Sequence, residues 1–308
     1  MKPIVAVVGP TASGKSDLGL QIAMARRGEI INLDASQIYR GMDIGTAKTP
    51  RCERAGVPHH LLDVLEVTES ASVADFQGLA RAAIDDVRAH DHLPVCVGGS
   101  GLYVRAVLED LEFPATDAAV RARLEAELAD LGAEAMHARL AGMDAVAAAA
   151  IPSGNTRRVV RALEVMELTG ERYTAVLPQH SQREADVRIG LAVPREALAP
   201  RVRERVRRMW DAGLVDEVRD LAARGLREGA TARKALGYQQ VLSFLAHECS
   251  EQEAFEATVF GTMRFARRQM QWFKRDTAIH WLDYDDPRLL HHALELVDAA
   301  SSARSVRD

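Results

Sequence analysis

The sequence predicts an α/β fold: a parallel sheet core with helices on both faces, plus a helical insertion domain. Three observations carry that expectation. Short apolar runs alternate with stretches of helical spacing through the first third of the chain, the pattern of parallel strands joined by crossover helices. The first run opens into "GPTASGKS", where Gly9, four residues and Gly14-Lys15-Ser16 form the P-loop pattern, so the core is predicted to be P-loop NTPase-like. Residues 117–170 then turn rich in Ala, Arg, Glu and Leu, with almost no strand signal.

Each element follows in order. Ile4 to Val8 is uninterrupted apolar, as a strand buried on both faces requires. Ser16 to Arg27 reads as a helix, with Leu18, Ile22 and Ala25 on one side. "EIINL" is a second buried strand ending at Asp34. Ser72, with Asp75 three residues on, signals the N-cap of a helix through "VADFQGLARAAIDDVRAH". "LPVCVGG" is a third strand, Pro94 to Val97, ending in a glycine turn. Past Pro114 come the insertion's helices, two of them separated at Pro152-Ser153-Gly154. "VRIGLAV", residues 187–193, returns to strand. Helices are expected over 197–212, 214–224, 235–247 and 251–275, then a short strand at "AIHWLD" and a helix over 287–300. The tail "SSARSVRD" is expected to fray. Residues 1–114 and 187–308 thus form the core, and 115–186 the insertion.

The 308 residues suffice for one large domain and a smaller one, and 47% apolar residues is ordinary for a globular chain. No apolar run reaches the length of a membrane span. A P-loop follows the first apolar stretch where a signal peptide would carry a cleavage site, so a cytoplasmic chain with no membrane contact is expected. Cys52, Cys96 and Cys249 lie far apart without metal-binding spacing. Net charge is −5, yet residues 195–275 hold 16 Lys and Arg against 11 Asp and Glu. Arginine outnumbers lysine 34 to 5. A GC-rich genome explains part of that bias; where arginines cluster, bidentate phosphate contacts explain the rest.

Three motifs carry chemistry. In the first, Gly9 and Pro10 lead into a loop whose amides at Thr11, Ala12, Ser13, Gly14, Lys15 and Ser16 are expected to face phosphate at a helix N-terminus. Lys15 would neutralise the terminal phosphate and Ser16 would hold Mg²⁺. A GTPase is excluded: its Asn-Lys-x-Asp reader is missing, since neither asparagine, Asn32 or Asn155, precedes a lysine. A small-molecule kinase stays open on this motif alone. The second motif is "NLDASQIYRGMDIGTAK". Asp34 ends a strand at the sheet edge that also carries the P-loop, where ligands bind in open α/β sheets. Its carboxylate suits a metal, a proton acceptor or a turn cap. Asp43, Thr46 and Lys48 continue it as a polar loop. The third is "VGGSGLY", whose glycines allow close backbone approach and whose Ser100 supplies a hydroxyl.

These stretches, with "PHHLLD", "TRRVVRALEV", "KALGYQQ" and "RRQMQWFKRD" in that order, resemble the tRNA dimethylallyltransferases, the bacterial tRNA isopentenyltransferases. The resemblance runs from about residue 4 to 283. It implies transfer of a dimethylallyl group from dimethylallyl diphosphate to N6 of adenosine 37 in tRNAs reading codons that begin with U. The P-loop would then hold a leaving diphosphate, and Mg²⁺ would be the cofactor. It implies Asp34 as base, Ser100 as a hydroxyl at the diphosphate or N6, and Arg201 near the leaving group, with Arg203 and Arg205 as alternatives for that arginine.

The resemblance also implies a flipped target base met by Asp34, Ala35, Ser36 and Gln37. The anticodon stem-loop would be contacted from the insertion by Arg123, Arg157, Arg158, Val159, Val160 and Arg161. Lys234, Ala235, Leu236, Gly237, Tyr238 and Gln239 would form another tRNA segment. Arg267, Arg268, Gln269, Met270, Gln271, Trp272, Phe273 and Lys274 would form the last, with Tyr238, Trp272 and Phe273 as stacking faces. A monomer is expected. Departures from the family pattern are Ala35 for a frequent Ser, Ser100 for a frequent Thr, and Gln271 for a Thr or apolar residue.

Overall fold

The computed structural model describes residues 2–70, 72–114, 116–173 and 186–305. The expected junctions at 115 and near 186, and the end of the tail at 306–308, touch residues outside the described ones.

Two compact units divide the chain: residues 1–110 with 182–308, and residues 111–181. The first contains a six-stranded sheet in the order β3-β2-β4-β1-β5-β6. Its strands are β1 (Ile4–Val8), β2 (Gly28–Asn32), β3 (His59–His60), β4 (Leu93–Gly98), β5 (Asp186–Ala192) and β6 (Ile279–Asp283), and every pairing is parallel. Strand residues alternate between two apolar clusters. Ala6, Val8, Ile31 and Cys96 face one side. Val5, Val7, Ile30, Val95 and Ile189 face the other. A sheet buried on both faces explains the unbroken apolar runs.

α1 (Lys15–Ala25) buries Leu18 and Ile22 against the second face, where Ala293 and Val297 of α12 (Leu289–Ser305) also pack. α2 (Val73–Ala89) and α3 (Gly101–Leu108) cover the first face through Phe76, Ala80, Ile84, Val104 and Val107. The Ser72 hydroxyl accepts from the Asp75 amide at 3.0 Å, as the cap signal predicts. α12 continues through Ser305, so residues 301–305 are helical where fraying was expected; Ser301 and Ser302 hydroxyls donate back to the carbonyls of Val297 and Asp298. Sequence reading also missed β3. It is two residues long and half-buried, too short for periodicity to reveal.

The second unit holds α4 (Ala118–Leu131), α5 (Ala133–Met143), α6 (Ala145–Ala150) and α7 (Thr156–Thr169). Asp117, Asp144 and Asn155 cap α4, α6 and α7 with their side chains. Leu124, Met136, Leu140, Ile151, Val159, Val160 and Leu163 form its core. The remaining helices belong to the first unit: α8 (Arg195–Asp211), α9 (Leu214–Ala223), α10 (Tyr238–Leu245) and α11 (Glu251–Phe273).

Candidate active site

The strand order sets the site. After β1 the chain crosses to β2 on one side, and after β4 to β5 on the other. The connections after β1 and β4 therefore run in opposite directions, the topology at which open α/β sheets bind ligands at their carboxyl ends. The P-loop follows β1, and Gly99-Ser100-Gly101 follows β4.

The P-loop is held from outside. Gln269 of α11, 5% exposed, accepts from the Thr11 amide through Oε1 at 2.9 Å and donates through Nε2 to the Gly99 carbonyl at 2.8 Å. One side chain thus spans both loops. It takes the Thr11 amide out of the set expected to face phosphate. Among the described residues, the amides of Ala12, Ser13 and Gly14 have no hydrogen-bond partner. Ala12 adopts φ 62, a left-handed backbone that costs a non-glycine residue about 1 kcal/mol. Arg201 secures that turn, its Nε donating to the Ala12 carbonyl at 2.8 Å while its guanidinium lies 4.8 Å over the Tyr284 ring. The Ser13 hydroxyl is 2% exposed and unpartnered.

Lys15 folds back to the Pro10 carbonyl at 3.3 Å. Burial first, then the nearby Arg205 charge, lowers its pKa to about 8, with Asp34 opposing both. Arg205 is itself lowered by burial, against the pull of Asp34, and its Nη2 donates to the Thr46 carbonyl at 3.3 Å. Lys15, Arg205 and Asp34 therefore sense one another electrostatically. Arg203 instead pairs with Glu256 on the surface. The three arginines that sequence could not separate have different stations: Arg201 on the P-loop, Arg205 by Lys15 and Asp34, Arg203 elsewhere.

Asp34 is half-buried at the end of β2. Its Oδ1 accepts from the Ser36 amide at 2.9 Å, and its own amide donates to Asn32 Oδ1 at 2.9 Å. The carboxylate thus caps a turn and still has a second oxygen to offer. Gln37 turns toward the following loop, donating to the carbonyls of Thr46 and Ala47 at 3.1 and 3.3 Å; Ala35 is half-buried. That loop is clamped twice. Lys48, 7% exposed, binds Asp43, Asp63 and the Tyr39 carbonyl. Glu217 of α9 accepts from the amides of Asp43, Ile44 and Gly45 at 3.0, 2.7 and 3.2 Å, and from the Tyr238 hydroxyl at 2.6 Å. The Tyr238 ring lies where a Cβ on Gly45 would sit, 2.5 Å away, so only glycine fits there.

Several sequence expectations need correction. Tyr238 is 0% exposed and Phe273 2%; neither ring is open to a base, because both fill the core on one sheet face. Burial raises the Tyr238 pKa well above the ordinary phenol, helped by the Glu217 carboxylate. Trp272 is half-buried with its indole across Gly101, leaving no room for a side chain there. Val159 and Val160 are core residues of the second unit. In that unit Arg123 is bound by Glu127 and Glu167, and Arg161 by Glu164 at 2.8 Å and the Pro114 carbonyl. Arg157 and Arg158 are exposed. Gly237 is buried, Ala235 and Leu236 are half-buried, and Lys234 and Gln239 are exposed. On α11, Arg267, Arg268 and Gln271 are exposed, as is Lys274 just beyond it, while Met270 is half-buried. Ser100 starts α3 without capping it, and Ser16 is exposed at the start of α1. Sequence reading missed Glu217, and missed the structural part of Gln269; the loops they hold lie 170 or more residues away in the chain, beyond any local pattern.

A family model described as IPP transferase matches residues 37–276. The tRNA dimethylallyltransferase of Thermobifida fusca is 59% identical over 302 residues, 96% of this chain and 95% of its own. That of Kineococcus radiotolerans is 59% identical over 311 residues, 98% of each chain. The crystal structure of the full-length tRNA isopentenylpyrophosphate transferase from Bacillus halodurans is similar at TM-score 0.73 and 37% identity, covering 99% of this chain and 100% of that one.

Proposed function

The chain belongs to the IPP transferase family, the tRNA dimethylallyltransferases, and from that membership we propose that it prenylates N6 of adenosine 37 in tRNAs reading codons that begin with U. The donor is dimethylallyl diphosphate. The allylic C–O bond breaks, a bond from that carbon to N6 forms, diphosphate departs, and one N6 proton passes to a base.

The observation that carries the reading is a P-loop turn whose Ala12, Ser13 and Gly14 amides and Ser13 hydroxyl lack partners among the described residues, with Lys15 folded against it and Arg205 and Asp34 within its electrostatic reach. The N6 amine is a weak nucleophile because its lone pair is delocalised into the purine. It needs a proton acceptor as the C–N bond forms, a contribution of about 10² to 10⁴ in rate. The Asp34 oxygen not engaged by Ser36 suits that task. Departure of diphosphate needs its charge met by fixed donors. Lys15, Arg205 and the amides of Ala12, Ser13 and Gly14 are the donors we assign. Arg201 fixes the P-loop turn and contributes charge beside it, and Ser100 supplies a hydroxyl from the opposite loop.

Ser16 is a hard oxygen donor at a helix N-terminus, and such a donor fits Mg²⁺, which is held by few protein oxygens together with substrate phosphates. Bound there, the ion would neutralise part of the diphosphate charge. RNA is read as approaching through the exposed cations of α11 and its C-terminal end, with Lys234, Gln239, Arg157 and Arg158 as further contacts on the anticodon stem-loop. No helix among the described residues is long and apolar enough to cross a membrane, and tRNA as substrate argues for the cytoplasm.

The test is incubation of the purified chain with unmodified tRNA, dimethylallyl diphosphate and Mg²⁺, followed by mass spectrometry of the anticodon-loop nucleosides. A five-carbon adduct on adenosine 37 is expected. Transfer of an ATP γ-phosphate to an acceptor with no RNA adduct would replace this reading with that of a kinase.

A further inference from the structure

Phe260 lies on α11, one helical turn before Arg264, and is 64% exposed. It is the one exposed ring among the described Phe, Tyr and Trp residues. The Arg264 guanidinium lies 5.7 Å from its centroid. At 100° per residue, Phe260, Arg264, Arg267 and Arg268 fall within about 100° of one helix face, and Lys274 and Arg275 follow just past the helix end. The ring therefore begins a stripe whose other members are cations.

Those cations differ from several exposed arginines nearby. Arg203, Arg207, Arg219 and Arg224 each hold a carboxylate. Among the described residues no ion pair engages Arg264, Arg267, Arg268, Lys274 or Arg275. The sequence supplies no Asp or Glu from 257 to 275. Three cations left without counter-charge along one face, and two more at its C-terminal end, suit a polyanion, and a flat apolar ring at the head of the row suits a nucleobase, whose face stacks without regard to sequence.

We propose that Phe260, steadied by Arg264, is a stacking platform for an unpaired nucleobase of the bound tRNA, about 10 Å along α11 from the Arg267–Lys274 segment. Resting on the tRNA reading above, it extends the RNA track by two helical turns beyond the segment that the resemblance implied. The base in question is distinct from the target adenosine, which must reach Asp34. Stacking supplies affinity that salt does not screen, and Arg264 adds one phosphate-neutralising charge that salt does.

The experiment is fluorescence-anisotropy titration of a labelled anticodon stem-loop RNA with the full chain at several salt concentrations. Phe260→Ala should weaken binding about tenfold and leave the slope of log K against log salt unchanged. Phe260→Trp should bind within twofold of the wild type. Arg264→Gln should lower the slope by about one. Thermal melting confirms that each variant is folded. Phe260→Ala binding like the wild type, or Phe260→Trp losing as much as the alanine variant, overturns the platform. So does a change confined to self-association on sedimentation, which would make the ring a contact between copies. If the wild-type chain itself fails to bind the stem-loop at low salt, the tRNA reading falls and this inference with it.

Discussion

Arginines in two regions of this molecule do opposite things. In the four-helix unit Arg121, Arg123, Arg139 and Arg161 are spent on the protein. Arg121 and Arg161 meet at Glu164, which is 0% exposed, and Arg123 and Arg139 share Glu127. Glu164 also accepts from the Asp117 amide at the start of α4. Its carboxyl is held below the ordinary value by those bonds, against the burial that would raise it. On α11 and at the P-loop the cations are left for something else. Arg264, Arg267 and Arg268 carry no carboxylate, and Lys15 sits beside a second cation, which helps to pull its pKa down. A folded chain places like charges together at some loss of stability, which accords with the anion site proposed above. Composition cannot make this distinction. Both regions are arginine-rich in sequence, and only the partners separate them.

The sharpest test of the comparison lies at Asp34. Asp34→Asn keeps an acceptor for the Ser36 amide but removes the basic oxygen. Single-turnover prenylation should fall at least about a hundredfold, with RNA affinity within twofold; an unchanged rate would move the base elsewhere. Lys15→Met follows, with a loss of about 10² to 10³ in rate. Lys15 carries its charge below about pH 8, so kcat/KM for the diphosphate donor should decline as pH rises through that value. In Lys15→Arg the decline should move to higher pH, and a profile identical to the wild type's would remove Lys15 from donor binding.

Next in size is the loop clamp. Glu217→Ala leaves three amides and a phenol without their acceptor and should destabilise the fold by about 1–3 kcal/mol, read as a lower urea midpoint. Tyr238→Phe keeps the ring against Gly45 and leaves the three amides bound to Glu217, and should lose about 1.5 kcal/mol. The smallest effects concern the arginines. Replacing Arg267 and Arg268 together by Gln should flatten the salt dependence of RNA binding by about one and a half units. Arg123→Gln, whose charge is already engaged by Glu127 and Glu167, should leave that slope alone. Equal slopes for the two variants would erase the distinction between the regions.

Much of the architecture was readable in advance because it rests on local rules. Strands β1, β2, β4 and β5 are buried on both faces and so appear as apolar runs. Ser72 announces α2, and Pro152 ends α6. β3 was illegible because two half-buried histidines have no period; His60 is held there by Glu29, which also binds His92. The site was legible where backbone chemistry needs a fixed spacing, as in Gly9 to Ser16. It was illegible where a motif residue proved to be support. Tyr238 and Phe273 read equally well as rings for stacking or for packing, and burial decided for packing. Glu217 sits in an unremarked helix, and nothing near it in sequence points to the loop it holds.

Gln269 has a consequence for how the two substrates are felt. Its amide joins the Thr11 amide to the Gly99 carbonyl, and the two residues before it on the helix are the exposed Arg267 and Arg268. If RNA binding shifts α11, as the proposed function allows, these two bonds would carry the shift to the P-loop turn. Any free energy so shared must be the same in both directions: whatever tightening RNA confers on the diphosphate, diphosphate confers on RNA. Gln269→Ala would cut that link, and the two affinities would become independent of each other.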